Sequence, residues 1–253
     1  MSSYTLTTLG FLFGIVVGSY LAVIVDRYHQ GRSANTGRST CNHCQQKLGP
    51  LDLMPVLSYL ALRGRCRRCH QPIGWQTLVI EGLAGLGAAA IIWIYGVSFE
   101  SFGLTLAWWV SLVIIWIDLR DYLIPDGALV WLTGAALLVR GVYPETLSSG
   151  LLGLWVGVAI LGGLFLLTRG KGMGLGDVKL MVPLGFLLGW PTILTGLFLA
   201  FILGSIVGLG LMLTHRRGWR EAVPFGPFLL VGATLAMIWG EQLLAWYLGF
   251  ARF

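Results

Sequence analysis

The chain has 253 residues, of which 56% are hydrophobic and only 11% are charged. Soluble domains carry about a quarter charged residues, so this composition excludes an ordinary soluble enzyme and a disordered chain. The formal net charge is +6. Aromatic residues are not interleaved with the basic ones, so we predict no nucleic-acid partner. The composition instead predicts a protein that resides in the lipid bilayer.

Long apolar runs recur from one end of the chain to the other, and roughly 20 apolar residues suffice to span a bilayer. They predict about eight transmembrane helices, several of them short, at 9–25, 78–95, 102–117, 128–142, 151–168, 180–190, 192–213 and 228–248. No Lys or Arg precedes the first run, so we expect a retained span rather than a cleaved signal peptide. The predicted fold class is an all-α polytopic membrane protein. Its predicted domains are a first helix (1–25), a loop (26–77) and a multi-helix membrane domain (78–253).

The basic residues predict an orientation, because Lys and Arg accumulate in cytoplasmic connections. Of the 17 Lys and Arg residues, all but Arg140 and Arg252 lie in the connections after spans one, three, five and seven. With eight spans, these four connections share one side of the membrane. We therefore expect them in the cytoplasm, with both termini outside. Basic connections also attract the anionic headgroups of the bilayer.

All four cysteines lie in the 26–77 loop, as two Cys-x-x-Cys pairs. The pairs are Cys41 with Cys44 and Cys66 with Cys69. This spacing is typical of a structural zinc site with four thiolate ligands. Disulfides are disfavoured in the reducing cytoplasm, and nearby arginines stabilise thiolates. We predict a zinc-knuckle loop, with reduced or redox-active thiols as the alternative.

Two of the eleven acidic residues are candidates for chemistry. Asp118 ends the third apolar run, and Asp177 follows a run of alternating glycines just before the sixth. The predicted topology puts both at the cytoplasmic face, so they can meet although they are far apart in sequence. Two adjacent carboxylates share a proton, which lets one activate water while the other polarises a carbonyl group. The simpler alternative for Asp118 is an interfacial carboxylate paired with Arg120.

Glycines 172, 174 and 176 precede Asp177. They permit backbone conformations closed to other residues and a close approach to a partner helix or an extended substrate. A phosphate-binding loop is the competing interpretation. The run lacks the Gly-Lys-Ser/Thr ending of such a loop and the strand before it. We therefore favour a positioned carboxylate.

At these residues the chain resembles the type IV prepilin peptidases, also called leader peptidases and N-methyltransferases. The matching segments follow one another in the same order from about residue 10 to 230. They are 18–21 (Gly-Ser-Tyr-Leu), 55–60 (Pro-Val-Leu-Ser-Tyr-Leu), 64–69 (Gly-Arg-Cys-Arg-Arg-Cys), Glu81, 117–126 (from Ile-Asp to Ile-Pro-Asp), 174–180 (Gly-Leu-Gly-Asp-Val-Lys-Leu) and 224–227 (Pro-Phe-Gly-Pro). The ordered set is far more specific than a lone Gly-x-Gly-Asp.

The resemblance implies an intramembrane aspartic endopeptidase with Asp118 and Asp177 as its catalytic dyad. It implies cleavage of the basic leader of prepilins or secretion pseudopilins at the cytoplasmic face of the bacterial inner membrane. It further implies methylation of the new N terminus with S-adenosylmethionine, supported by the cysteine loop. The residues that it implies as supporting the site are Gly174, Gly176, Lys179, Asp126 and Glu81. Asp126 also has a simpler role open to it, as the N-cap of the fourth span after Pro125.

The chain departs from the family pattern in its first third. Ala22 stands where the family has Asn, Tyr28 and His29 replace Leu-Pro, and Leu53 and Met54 replace Asn-Ile. One alternative is therefore a peptidase whose methyltransferase activity is lost or altered. Another is a transporter or scaffold with a zinc-stabilised loop and ion-binding aspartates. A presenilin-like protease also carries Gly-x-Gly-Asp, but the cysteine loop and Pro-Phe-Gly-Pro argue against it.

Overall fold

The structure, a computed structural model, describes residues 2–33, 37, 39–214 and 223–250. These residues form nine α-helices and two short 3-10 turns, Pro50–Leu53 and Pro144–Thr146. Two isolated β-bridges lie in the cysteine loop. The helices are α1 (Ser3–His29), α2 (Leu57–Ala61), α3 (Trp75–Tyr95), α4 (Phe99–Asp121), α5 (Asp126–Gly141), α6 (Leu147–Leu167), α7 (Leu175–Leu188), α8 (Thr192–Leu213) and α9 (Gly226–Phe250).

Each of the eight predicted apolar segments falls on one of these helices, which confirms the all-α membrane fold. Six helices of the described chain are long and apolar enough to cross a membrane: α1, α3, α4, α6, α8 and α9. Helices α5 and α7 have 16 and 14 residues. At 1.5 Å per residue they extend about 24 and 21 Å, which is less than the roughly 30 Å hydrocarbon core. Eight complete crossings, and the orientation derived from them, therefore stay a prediction.

Two compact units make up the chain, Met1–Ile117 and Asp118–Phe253. In the first unit, α1 and α3 pack along a seam of small residues. A Cβ atom added at Gly14 would lie 2.7 Å from the carbonyl oxygen of Ala84 and from Cα of Gly85. Small residues allow such close backbone approach, and in lipid the resulting van der Waals contact holds helices together. Gly10 and Gly18 continue the seam one turn to either side.

Helix α4 joins this pair through its tryptophans. Trp108 Nε1 donates to the carbonyl oxygen of Leu83 at 2.9 Å, and Trp109 Nε1 donates to that of Ala84 at 3.2 Å. A buried apolar cluster fills the space between the three helices. Its members are Leu21, Ala22, Val25, Ile80, Ala84, Leu112, Val113 and Ile117.

In the second unit, the short helix α7 contacts α5, α6, α8 and α9. From Leu180 to its end every residue except Val182 is buried. A Cβ atom added at Gly185 would lie 2.6 Å from the carbonyl oxygen of Gly153 in α6, so the two backbones nearly touch. A helix that is apolar all round belongs in the interior of a bundle. The second unit is therefore organised around α7.

Both ends of α7 are capped. At the first turn, the Asp177 carboxylate accepts a hydrogen bond from the Gly174 backbone N–H at 3.2 Å. At the last turn, the Arg140 guanidinium of α5 donates to the carbonyl oxygens of Phe186 at 3.2 Å and Leu187 at 2.8 Å. A negative charge at a helix N-terminus and a positive charge at its C-terminus both interact favourably with the helix dipole. The caps also satisfy backbone groups that have no partner within the helix.

We expect Gly14→Ala to destabilise the first unit, because the new methyl group would push α1 away from Ala84 and Gly85. The expected cost is roughly 1–3 kcal/mol, typical of overpacking. Gly82→Ala, in α3, is the matched control, since nothing lies within 4 Å of its added Cβ. Thermal unfolding of the detergent-purified protein should show a lower Tm for Gly14→Ala only. Equal Tm values for the two variants would contradict the seam.

Candidate functional site

Asp118 lies in the last turn of α4, and its side chain is only 5% exposed. Its carboxylate faces the start of α9, where the Gly226 backbone N–H points toward it. A Cβ atom added at Gly226 would lie 2.6 Å from Asp118 Oδ2. That oxygen is buried and accepts no hydrogen bond from any residue that the structure describes. A buried carboxylate oxygen without a partner is costly, and water or a substrate group would satisfy it.

Asp177 is 7% exposed and lies in the first turn of α7. Asp118 is close enough to act electrostatically on the Asp177 carboxylate. Ile124 lies between the glycines that neighbour the two aspartates. Its side chain would be 3.4 Å from a Cβ atom added at Gly176 and 3.2 Å from one added at Gly226. The second unit thus brings Asp118 and Asp177 into one buried site walled by two glycines and an isoleucine.

Two neighbouring carboxylates in a water-poor site cannot easily both be ionised, so they hold one proton between them. Such a pair has one group that can accept a proton from water and one that can donate a proton to a carbonyl oxygen. The unsatisfied Asp118 Oδ2 is a place for that water. The arrangement is chemically suited to hydrolysis of a peptide bond.

The glycines before Asp177 act differently from the expectation. Among the residues described, the glycines with positive φ are Gly31, Gly37, Gly64, Gly96, Gly170 and Gly189, so Gly172, Gly174 and Gly176 are not among them. Gly174 has φ −76° and ψ 147°, a conformation open to any residue. The prediction of special backbone conformations was wrong. A Cβ atom added at Gly176 would lie 3.4 Å from Ile124, an ordinary contact, so the close approach to a partner helix or a substrate stays a prediction.

Asp126 is the first residue of α5, and the N-cap is Pro125. The suggestion that Asp126 serves as the N-cap is therefore wrong. Pro125, with an extended backbone, occupies the N-cap position. Asp126 therefore lies in the first turn of the helix, and its side chain makes no capping hydrogen bond. It accepts an ion-paired hydrogen bond from Lys179 Nζ at 2.8 Å instead. The pair links the start of α5 to the N-terminal half of α7, and both side chains are exposed to solvent.

The two cysteine pairs form matching turns in the first unit. In each turn, the first cysteine's carbonyl oxygen accepts from the residue after the second cysteine, Gln45 or His70. Both of these residues have positive φ, 57° and 54°. An isolated β-bridge closes each turn, Thr40 with Lys47 and Arg65 with Pro72. The repeated geometry brings the two pairs face to face.

The four sulfur atoms lie within 4.8 Å of one another. Cys41 Sγ and Cys69 Sγ are 3.8 Å apart. Four thiolates around a tetrahedral ion with bonds of about 2.3 Å are separated by about 3.8 Å, so the geometry fits one metal ion. Backbone N–H groups of Cys69 and Arg68 lower the pKa of the Cys66 thiol to about 6. The loop thus brings four sulfur ligand atoms to one point.

Glu81 belongs to the first unit, in α3, and is 4% exposed. Its Oε2 accepts a hydrogen bond of 2.7 Å from the backbone N–H of Val56, the residue before α2. Val56 has φ 61° and ψ −51°, a conformation that costs free energy in a β-branched residue. The carboxylate therefore holds a strained turn of the cysteine loop against α3. Glu81 also lies within hydrogen-bonding reach of the Ser19 side chain in α1, and the site role predicted for it stays a prediction.

Two residues that line the site, and one that caps the far end of α7, escaped the sequence analysis. Gly226 and Ile124 lie within segments that resemble the family, but nothing in the sequence pattern indicates that they line Asp118. Arg140 stood out only as one of two basic residues on the predicted outer side. Its position near the end of an apolar run was the one signal that could have found it, because a charge there needs partners.

Comparisons with known proteins show which family the chain belongs to. Residues 12–95 match the bacterial peptidase A24 N-terminal domain, and residues 104–209 match the type IV leader peptidase family. The chain is 31% identical to the prepilin leader peptidase/N-methyltransferase of Aeromonas hydrophila, over 95% of this chain and 93% of that protein. It is 32% identical to the protein of that name from Pseudomonas putida, over 94% and 92%. The Bacillus subtilis protein of that name is 29% identical, over 95% of this chain and 97% of that protein. No solved structure matches the chain.

We expect the purified protein to contain about one metal ion per chain, as four converging thiolates require. Cys66→Ser should reduce that content several-fold, because serine is a poor ligand for a thiophilic metal. His43→Ala removes an exposed nitrogen donor next to Cys44 and should keep the metal. Elemental analysis by mass spectrometry measures both variants. Metal content well below one in the parent protein, with no loss of Tm after chelation, would refute the site.

Proposed function

The chain belongs to the type IV leader peptidase family, and we propose that it removes the leader of type IV prepilins or pseudopilins and methylates the new N terminus. It is a multi-pass protein of the bacterial inner membrane. The relatives whose names join both activities match nearly the whole chain. The observation that carries the proposal is the buried pair Asp118 and Asp177, with one oxygen left unsatisfied for water.

In the proposed reaction, the scissile carbonyl group enters between the two carboxylates. The ionised aspartate takes a proton from water, and the water oxygen attacks the carbonyl carbon. The protonated aspartate gives its proton to the carbonyl oxygen. When the tetrahedral intermediate collapses, a proton passes to the departing amine, and the peptide C–N bond breaks. Two aspartates thus hydrolyse the leader without a covalent intermediate.

The glycine at position 226 allows the start of α9 to pack closely against Asp118. Any side chain there would lie against Oδ2, and the added Cβ alone would come within 2.6 Å. The absence of a side chain lets the backbone of α9 begin directly against this buried oxygen. Lys179 and Asp126 border the same end of α7 through their ion pair. We assign them to the shape of the entrance rather than to proton transfer.

Zinc is the metal that best suits the cysteine loop, because a closed set of four thiolates favours a structural Zn²⁺ ion. The second activity uses S-adenosylmethionine, which supplies a methyl group to the uncharged N-terminal amine. The cavity in the cysteine loop is lined by arginines. Those arginines would attract the carboxylate of this donor but repel its sulfonium cation, so the fit is poor.

The basic residues support the predicted orientation. We propose that the cysteine loop and the two aspartates face the cytoplasm, where the positive-inside tendency places Lys and Arg. The loop alone holds eight of the 17 basic residues of the chain. A short basic leader would then be cut at the face from which prepilins enter the membrane.

Asp118→Asn and Asp177→Asn should each abolish leader cleavage, because an amide can neither accept nor donate the required proton. The expected loss is at least about 10²–10⁴-fold. Glu145→Gln makes the same chemical change at an exposed turn and should cleave normally. Co-expression with a prepilin, followed by intact mass of the product, measures cleavage. Normal cleavage by either Asn variant would remove that aspartate from the dyad.

The mature product should carry one methyl group on its N-terminal amine. The same intact-mass measurement, with fragmentation to locate the added mass, tests this second activity separately. A product that is cleaved but unmethylated would indicate a peptidase that has lost its methyltransferase, with the proposed dyad unaffected. A catalytically inactive co-expression partner, Asp118→Asn, gives the uncleaved reference mass.

A further inference from the structure

The cysteine loop contains a surface cavity of about 560 Å³ that no step of the proposed reaction uses. Its lining is unusually basic for so small a segment. The lining residues are Ala61, Leu62, Arg63, Arg65, Cys66, Arg67 and His70. Three guanidinium groups and an imidazole around one cavity make a site for an anion, since arginine forms paired hydrogen bonds with phosphate oxygens.

The three arginines differ in their partners. Arg67 Nε donates to Asp52 Oδ1 at 2.7 Å, so its charge is already compensated. The side chains of Arg63 and Arg65 make no hydrogen bond or ion pair with any residue in the described part of the chain, and both are exposed. Two uncompensated cations at one cavity raise the local potential and favour an anionic occupant.

An apolar face leads directly to this cavity. Leu57, Leu60 and Ala61 occupy positions i, i+3 and i+4 of helix α2, so they share one face of it. Leu57 is 60% exposed and Leu60 is 59% exposed, while Ala61 is exposed and also lines the cavity. Exposed leucines in a polar loop mark an interaction surface. The neighbouring Leu51, Leu53 and Met54 are exposed as well.

An apolar strip that ends at two uncompensated arginines matches a ligand with an apolar body and an anionic head. The loop joins the membrane-crossing helices α1 and α3, so it emerges at the bilayer surface. We propose that this site binds an anionic phospholipid of the surrounding bilayer, with the phosphate between Arg63 and Arg65 and the acyl region against Leu57 and Leu60. The bound lipid would fix the cysteine loop on the membrane surface.

Native mass spectrometry of the full-length, metal-loaded protein tests this site. The protein is released from micelles that contain phosphatidylglycerol and phosphatidylcholine with identical acyl chains. We expect the parent protein to retain phosphatidylglycerol selectively. The double variant Arg63→Ala/Arg65→Ala should retain roughly thirtyfold less, as expected for the loss of two basic residues at an anionic lipid surface. Metal content measured on the same samples confirms that the loop is intact.

Arg32→Ala/Lys47→Ala is the matched control, because it removes the same charge from the same loop outside the cavity. It should retain phosphatidylglycerol as the parent protein does. The proposal would be overturned if the cavity variant retained as much phosphatidylglycerol as the parent protein, or if the control lost as much of it as the cavity variant. The latter result would mean a diffuse attraction of the whole loop to the membrane.

Inorganic phosphate separates a lipid site from a site for soluble anions. Phosphatidylglycerol should raise the Tm of the parent protein but not that of the cavity variant. Millimolar phosphate alone should leave both values unchanged. If phosphate raises the Tm of the parent as much as the lipid does, and no lipid is retained, the ligand is a soluble anion and the lipid assignment fails.

Discussion

Helix α7 carries Asp177, and hydrogen bonds to charged side chains cap both of its ends. Asp177 itself accepts from the Gly174 backbone at the first turn, and Arg140 binds the Phe186 and Leu187 carbonyl oxygens at the last. The helix has only 14 residues and is buried among four others. Packing against these four helices restricts its sliding, and the caps fix where it begins and ends. The position of Asp177 opposite Asp118 depends on this constraint.

In the first unit, too, one buried charged side chain holds a local structure in place. Glu81 is buried in α3, and it holds the strained backbone of Val56 through a single hydrogen bond of 2.7 Å. That turn leads into α2 and then into the second cysteine pair. The four sulfur atoms, the basic cavity and the exposed leucines all belong to this one loop. A metal ion would stabilise its interior, and a lipid would stabilise its outer surface.

The features that could be predicted from the sequence are those that depend on near neighbours in the chain. Apolar length predicted the eight helical segments, and Cys-x-x-Cys spacing predicted a cluster of four sulfur atoms. The contacts of Arg140 and Gly226 could not be predicted, because they join residues from helices far apart in the chain. Local rules also failed at Asp126, which looked like an N-cap. Pro125 begins the helix, and the carboxylate pairs with Lys179 instead.

The central claim is that Asp118 and Asp177 act as one catalytic unit around a shared water molecule. The most direct test compares single-turnover leader cleavage by Asp118→Asn, Asp177→Asn and the double variant, with enzyme in excess over prepilin. Residues that act as a unit have strongly non-additive effects on rate. The dyad therefore predicts that the double variant is no slower than the slower single variant. A double variant slowed by the product of the two single losses would contradict it.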